Sequence, residues 1–224
     1  MIIKIQKLKT KIESYYNRGE FANQILDKYY RNAPNNIISD IGAGYGHMKQ
    51  KVKAIGGIWQ PFDYVQKMDY SIIWDLNKPA PINVSKAGTV IFLEVLEHLA
   101  NPLLGIQHIA DHMEKGGILI LTTPNPQSSK NRFNLLLKGT LYAFQEKHLI
   151  EHHVFTPWEH IVRYFLESAG FEILEYSIVD TAYQNRKLTS VKDAIKYYIE
   201  KLIDLKYEKA RGMSYGIVAK KKYG

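Results

Sequence analysis

Asp40 and the glycines that follow it have residue types and spacing suited to binding a charged ligand. Residues 36–46 read N-I-I-S-D-I-G-A-G-Y-G, with Gly42, Gly44 and Gly46 at alternate positions. The isoleucines predict a short buried strand, and helical spacing resumes behind the glycines. In a strand–turn–helix unit, backbone N–H groups face a crevice at the carboxyl edge of a parallel sheet. A carboxylate beside this turn disfavours a pyrophosphate and favours a ligand that carries an ammonium group.

The glycine spacing also separates two classes of nucleotide-binding site. A dinucleotide site needs the spacing G-x-G-x-x-G, so that the amides can meet a pyrophosphate. This chain has G-x-G-x-G, which disfavours a nicotinamide-dependent oxidoreductase. Asp63 ends the second predicted strand, residues 58–64, where an acid can accept hydrogen bonds from ribose hydroxyls. The pattern therefore favours a cationic nucleoside ligand without phosphate.

The composition excludes several chemistries and partners. The 224 residues contain no cysteine, which excludes disulfides, thiolate metal sites and cysteine adducts. No apolar stretch reaches the length of a membrane span, and the beginning of the chain does not resemble a signal peptide, so we expect a cytoplasmic protein. The net charge of +8 is concentrated in residues 4–11 and 187–222. Solvated helix faces explain this distribution better than a nucleic-acid partner does.

Several motifs, in the expected order, resemble those of the class I S-adenosylmethionine (SAM)-dependent methyltransferases. D-I-G-A-G-Y-G at 40–46 is similar to motif I of that family, and D-L-N-K-P at 75–79 is similar to its adenine-contacting corner. E-V-L-E-H-L at 94–99 and K-G-G-I-L-I-L-T-T-P-N-P at 115–126 resemble segments of quinone-type and glycan-type O-methyltransferases. H-V-F-T-P-W-E at 153–159 is also similar to a stretch common in this group. The tetrapeptides N-P-P-Y and D-P-P-Y of DNA and protein amide methyltransferases are absent at the fourth strand.

The resemblance implies a site for SAM, with S-adenosylhomocysteine (SAH) as the product. In the family, the acid after the third strand accepts a hydrogen bond from the adenine amine, and the next backbone N–H reaches the ring. The segment after the fourth strand lies near the methionine end of the cofactor. The residues expected to bind the cofactor are Asp40, Gly42, Ala43, Gly44, Asp63, Asp75, Leu76, Glu94 and His98.

The implied reaction is an in-line methyl displacement, for which the enzyme aligns the acceptor and removes its proton. A hydroxyl acceptor is assisted by a base with a pKa near neutrality, and histidine is the natural candidate. Residues 127–153 form a long region without a clear core period, of the kind that is often functional. The candidate catalytic bases in this region are His148, His152 and His153. No spacing forces oxygen ligands together, so we expect no metal.

The element pattern predicts an α/β fold, a doubly wound, seven-stranded, mainly parallel sheet of the Rossmann-like methyltransferase type. We expect one domain over 1–224, with a helical cap at 1–33, a core at 36–180 and a helical insert at 185–212 between strands six and seven. The insert has one apolar face, which predicts a packed surface helix; a substrate lid, a dimer contact and an interfacial membrane helix are the alternatives. That face comprises Val191, Ile195, Tyr198, Leu202 and Leu205.

The expected function is transfer of a methyl group from SAM to an oxygen of a small-molecule or sugar acceptor. Nitrogen and carbon acceptors stay open, as does RNA-directed methylation by the same fold. A non-catalytic SAM-binding protein is the alternative from another class. The small-molecule partner is favoured over nucleic acid, and a homodimer stays open.

Overall fold

The computed structural model describes residues 12–222, which form a single eight-stranded sheet flanked by helices. The sheet order is β4-β3-β2-β5-β6-β8-β7-β1, and β8 runs antiparallel to both of its neighbours. The remaining pairs are parallel, so the predicted doubly wound, mainly parallel sheet is confirmed. The strands are β1 (Glu13–Ser14), β2 (Ile37–Ile41), β3 (Ile58–Asp63), β4 (Ile72–Ile73), β5 (Ala87–Leu93), β6 (Met113–Pro124), β7 (Phe171–Val179) and β8 (Ser214–Lys221).

The helices begin where the sequence supplies capping side chains. Asn17, Asn101, Ser128 and Ser190 each accept a hydrogen bond from a backbone N–H in the first turn of the helix that follows. The α-helices are α1 (Arg18–Tyr29), α2 (Lys49–Ala54), α3 (Pro102–His112), α4 (Ser129–Lys138), α5 (Glu159–Ser168) and α6 (Val191–Lys206). Short 3₁₀ turns occupy Tyr30–Asn32, Leu96–His98, Glu146–Leu149, Thr181–Asn185 and Glu208–Ala210.

Two hydrophobic layers cover the two faces of the sheet. Successive residues of a strand point to opposite faces, and β5 shows this directly. Phe92 packs in the layer that contains Ile106 of α3, whereas Ile91 packs in the layer that contains Phe21 of α1. All four side chains are fully buried. Burial on both faces fixes the sheet, so the loops at the carboxyl ends of its strands are held in place.

The sequence missed one strand and one helix. We expected residues 13–14 to belong to the helical cap, but they form an edge strand. They do so because their backbone pairs with β7, and the next residue continues the contact: Tyr15 N–H donates to Ile178 O at 2.9 Å. Residues 1–11 of that predicted cap lie outside the described residues. The region 127–153 contains α4, which ends at Gly139 in a left-handed conformation.

The insert helix α6 turns its apolar face away from the protein, which is the largest difference from our prediction. The face that we expected to pack, represented by Leu202 and Leu205, is exposed, and Glu200 and Asp204 are buried instead. α6 connects the end of β7 to the start of β8, so it lies at the carboxyl edge of the parallel strands. This edge also carries the glycine turn.

Candidate active site

The glycine turn joins β2 to α2 and is held against the end of β3. Gly42, Gly44 and Gly46 have φ of 77°, 57° and 80°, a region that favours glycine. A Cβ atom added to Gly42 would lie 2.4 Å from a methyl of Val95, so the turn packs tightly against the segment that follows β5. A Cβ added to Gly44 would have no neighbour within 4 Å. The backbone at Gly44 therefore faces open space where a ligand can approach.

Asp63 joins the turn to the end of β3. Its two carboxylate oxygens accept hydrogen bonds from Gly44 N at 3.0 Å and Tyr64 N at 2.8 Å. The side chain is buried, and Lys67 Nζ lies 3.4 Å from one oxygen. A carboxylate has about four lone-pair positions. Asp63 thus retains acceptor capacity for the two hydroxyls of a ribose.

Asp40 lies beneath the turn. Its carboxylate is buried and accepts a hydrogen bond from Trp59 Nε1 at 3.0 Å. Burial raises the pKa of Asp40 to about 6, and the nearby charge of Asp63 adds to that effect. Ala43, between the first two glycines, is buried and donates its N–H to Phe62 O at 3.0 Å.

Asp75 and Leu76 follow β4 at the far side of the crevice. Asp75 accepts hydrogen bonds from Asn77 N at 3.0 Å and Asn77 Nδ2 at 2.9 Å, both at Oδ1. These two hydrogen bonds stabilise the charged carboxylate and are the main reason why the pKa of Asp75 is lowered. Leu76 is buried, and its carbonyl lies 2.9 Å from His108 Nδ1. The corner is therefore a defined turn, and Oδ2 of its carboxylate accepts no hydrogen bond within residues 12–222.

Two glutamates follow β5: Glu97 is buried, and the side chain of Glu94 is 14% exposed. Glu94 has a left-handed backbone, with φ of 53°, and its Oε1 is buried without a hydrogen-bond partner among residues 12–222. Arg18 of α1 lies 3.6 Å from Glu94 and 3.6 Å from Asp180. Glu97 accepts a hydrogen bond from Thr123 at 3.0 Å. Burial raises the pKa of both glutamates, and the charge of Glu94 raises that of Glu97 further.

The structure brings two of the three predicted catalytic histidines together with His98. The rings of His98 and His153 are 4.8 Å apart, and those of His148 and His153 are 5.8 Å apart and stacked. His152 is exposed and has φ of 58°. The cluster forms because backbone N–H groups of Val154 and Phe155 donate to Glu97 O, which ties the histidine segment to the end of β5.

The hydrogen bonds define which ring nitrogens carry protons. Nδ1 of His98 lies 2.7 Å from Glu151 O, and Nδ1 of His153 lies 2.9 Å from Ala143 O. A carbonyl only accepts, so each neutral ring carries its proton on Nδ1 and leaves Nε2 as an acceptor. His148 differs, because its Nδ1 accepts from Gln145 N at 3.2 Å. Burial lowers the pKa of His98, which favours its neutral form.

Glu97, His98 and His153 form a group that could hold a divalent cation. One ligand atom from each lies within 4.8 Å of the others. Two imidazole nitrogens and a carboxylate are a common donor set for zinc. The sequence predicted no metal. His153 is far from Glu97 and His98 along the chain, so no spacing in the sequence indicates that the three side chains lie close together.

Lys130 is a second residue near the site that the sequence did not indicate. This lysine of α4 is 9% exposed, and its ammonium lies 3.2 Å from the ring centroid of Tyr142 and 4.4 Å from that of Tyr183. Burial lowers the pKa of Lys130 to about 8, with a contribution from Lys196. Nothing in the local sequence marks this position, because its environment depends on the packing of α6 against α4.

Comparison with known proteins extends these observations. A family model described as a methyltransferase domain matches residues 15–176. The search of curated proteins gives no match. Across residues 12–222, no helix has the length and apolarity that a membrane span requires.

Solved structures with the same fold include three methyltransferases. A SAM-dependent methyltransferase from Archaeoglobus fulgidus has a TM-score of 0.58 and 17% identity, and the match covers 91% of this chain and 94% of that one. Magnesium protoporphyrin IX methyltransferase from Synechocystis, solved with SAH, has a TM-score of 0.57 and 17% identity over 90% and 84% of the two chains. An S-adenosylmethionine-dependent methyltransferase from Mesorhizobium loti has a TM-score of 0.52 and 14% identity over 82% and 90%.

Proposed function

The chain belongs to the SAM-dependent methyltransferase family, and we propose that it transfers the methyl group of SAM to an oxygen of a small-molecule or sugar acceptor. One observation carries the choice of oxygen. Nδ1 of His153 lies 2.9 Å from Ala143 O, so the neutral ring would donate from Nδ1 and keep Nε2 as an acceptor, within the histidine cluster that is tied to the segment after β5. A hydroxyl acceptor must lose its proton, and a neutral imidazole is suited to take it.

The cofactor site that we propose is the crevice above Gly44. Asp63 would accept hydrogen bonds from the ribose hydroxyls, and Oδ2 of Asp75 would accept one from the adenine amine, with Leu76 N–H directed to the ring. Gly42, Gly44 and Ala43 shape the turn, and Asp40 supplies negative charge from below. The open space at Gly44 and the remaining lone pairs of Asp63 support this assignment.

The methionine end of the cofactor would lie along the segment after β5. Glu94 has a buried carboxylate oxygen without a hydrogen-bond partner within residues 12–222, and the ammonium group of the cofactor would satisfy it. Val95 of the same segment packs against Gly42. This contact supports a site that continues from the glycine turn to the histidine cluster. His98 would orient this end, because its ring is fixed by Glu151 O.

The proton transfer that we propose uses His153. SAM supplies a methyl group on a sulfonium that is already activated for displacement. Nε2 of His153 would accept the hydroxyl proton as the acceptor oxygen bonds to the methyl carbon and the bond between that carbon and sulfur breaks, which leaves SAH. The imidazolium would later release the proton to solvent. The carboxylate of Glu151 lies 3.9 Å from Nε2 and would stabilise the charged ring. His148 stacks on His153 and restricts its orientation.

Radiolabelled methyl transfer to a panel of small hydroxylated aromatic compounds and free sugars tests this proposal. We expect label in a product that is resistant to mild base, as an ether is, and loss of that product with His153→Gln. Transfer only to amines would contradict oxygen as the acceptor, and SAM binding without transfer to any acceptor would favour the non-catalytic alternative.

A further inference from the structure

Helix α6 presents its apolar side to solvent and its acidic side to the protein. Val191, Leu202 and Leu205 are 79%, 66% and 77% exposed, whereas Glu200 and Asp204 are 2% and 5% exposed. A surface helix of a globular protein normally has the opposite orientation, with its apolar stripe facing the core. The apolar face of α6 is therefore without a partner within the described part of the chain.

Specific polar contacts fix this orientation. Glu200 accepts a hydrogen bond from Arg186 at 2.7 Å and lies 3.8 Å from Lys196, and Gln184 donates to Asp204 at 3.2 Å. Buried carboxylates need such partners, because an unpaired buried charge is costly. Rotating α6 to bury its leucines would break these contacts and leave the two carboxylates without them. The outward apolar face is thus built into the fold.

Helix α4 packs against α6 and adds exposed apolar side chains of its own. Leu136 and Leu137 are largely exposed, as is Leu135 to a lesser extent. We call the exposed apolar residues of the two helices the α4–α6 surface; they are Leu135, Leu136, Leu137, Val191, Ile195, Tyr198, Leu202 and Leu205. A set of large apolar side chains on one pair of neighbouring helices marks an interaction site more often than a plain solvated surface.

Within the described residues, the charged side chains in the exposed class on helices α4 and α6 are all lysines. Lys138, Lys192 and Lys206 are exposed on the two helices. The acids of α6 are less exposed, because Glu200 and Asp204 are buried. The carboxylate of Asp193 accepts a hydrogen bond from Thr189 Oγ1, and its backbone N–H donates to Ser190 Oγ at the start of the helix. An apolar face rimmed by lysines is typical of helices that lie in the interface of an anionic membrane.

We propose that the α4–α6 surface docks on an anionic lipid membrane, with α6 lying in the plane of the interface. A second copy of the chain is the less suitable occupant, because a two-fold contact brings the same patch together and would gather the lysines of both copies at one seam. A bilayer offers hydrocarbon to the leucines and negative headgroups to the lysines. The docked edge is also the edge that carries the glycine turn and the histidine cluster.

Sedimentation of the 224-residue protein with lipid vesicles tests this inference. We expect binding to vesicles that mix phosphatidylcholine with phosphatidylglycerol, much weaker binding to phosphatidylcholine alone, and release at high salt, because screening removes the lysine contribution. The double variant Leu202→Glu/Leu205→Glu should partition at least about tenfold less, since even one leucine withdrawn from hydrocarbon accounts for that factor. Ile82→Glu is the matched control, because Ile82 is fully exposed outside this surface.

The outcomes separate the possible occupants. Both positions of the double variant are exposed, so its circular dichroism spectrum and melting temperature should match those of the wild type. Absence of wild-type binding to either vesicle, or equal binding by the double variant, would overturn the inference. A dimer in analytical ultracentrifugation that the double variant abolishes would also overturn it and assign the surface to a second copy. None of these measurements requires the acceptor, so they are independent of the proposed reaction.

Discussion

Replacing Asp63 with asparagine tests the proposed cofactor site by removing one charge at one strand end. Asp63→Asn keeps the size of the side chain and one carbonyl oxygen, but it removes the charge and one acceptor oxygen. In the wild type, the two oxygens already accept from Gly44 N and Tyr64 N, and the proposal adds the ribose hydroxyls. A hydrogen bond to a charged group contributes about 1.5–3 kcal/mol. Loss of one such bond should weaken SAH binding roughly 10- to 100-fold.

Isothermal titration with SAH measures this change. Asp69→Asn is the matched control, because Asp69 is an exposed acid in the loop after β3, and its affinity should equal that of the wild type. Asp63→Asn also leaves one backbone N–H without its former acceptor, so a small fall in melting temperature is expected, and the titration is made well below it. A folded Asp63→Asn variant that binds SAH as tightly as the wild type would refute the ribose assignment.

Three further predictions address the turn, the buried acid and the base. Gly44→Ala and Gly56→Ala both place alanine at positive φ in open space, at a cost of about 1–2 kcal/mol each, but only Gly44→Ala should weaken SAH binding in titration, since its methyl enters the crevice. A similar loss with Gly56→Ala would indicate a general effect of strain. Asp40→Asn should raise the free energy of unfolding above pH 6 by about 3 kcal/mol, because burial raises the pKa of Asp40 from 3.8 to about 6 and the folded state must then hold a disfavoured charge. Denaturant melts should show this gain shrinking as pH falls from 6 towards 3.8, and a gain that is independent of pH would contradict the burial effect. His153→Gln should lower kcat by about 10²- to 10⁴-fold in a methyl-transfer assay, whereas His152→Gln should not, because His152 is exposed. Wild-type activity should survive dialysis against EDTA; a loss that zinc restores would assign His153 to metal binding.

The local signals in the sequence predicted every strand of the sheet except β1. Alternating glycines after Ile41 predicted the turn. Ser128 and Gly139 are ordinary helix start and stop signals, but the helix between them lacks a clear apolar period and was missed. β1 was missed because two residues have no measurable period and become a strand only through pairing with β7. Its position depends on a partner far away in the chain.

The part of the site whose functional residues lie in one short segment of the sequence was predictable. Asp40 and the glycines are adjacent in the sequence, and they are adjacent in the fold. Glu97 and His153 are brought together by backbone hydrogen bonds, and the spacing of residues in the sequence does not predict these bonds. The period of α6 correctly indicated an apolar face but not the direction of that face. The direction depends on the pairing of Glu200 with Arg186, which lies outside the helix.

A crystal structure of the complex with SAH tests the central claim most directly. The account predicts that the ribose hydroxyls lie within hydrogen-bond distance of Asp63, and that the sulfur faces the histidine cluster with a space for the acceptor between the sulfur and Nε2 of His153. A complex in which the ribose lies away from Asp63, or the sulfur faces away from that cluster, would contradict the account.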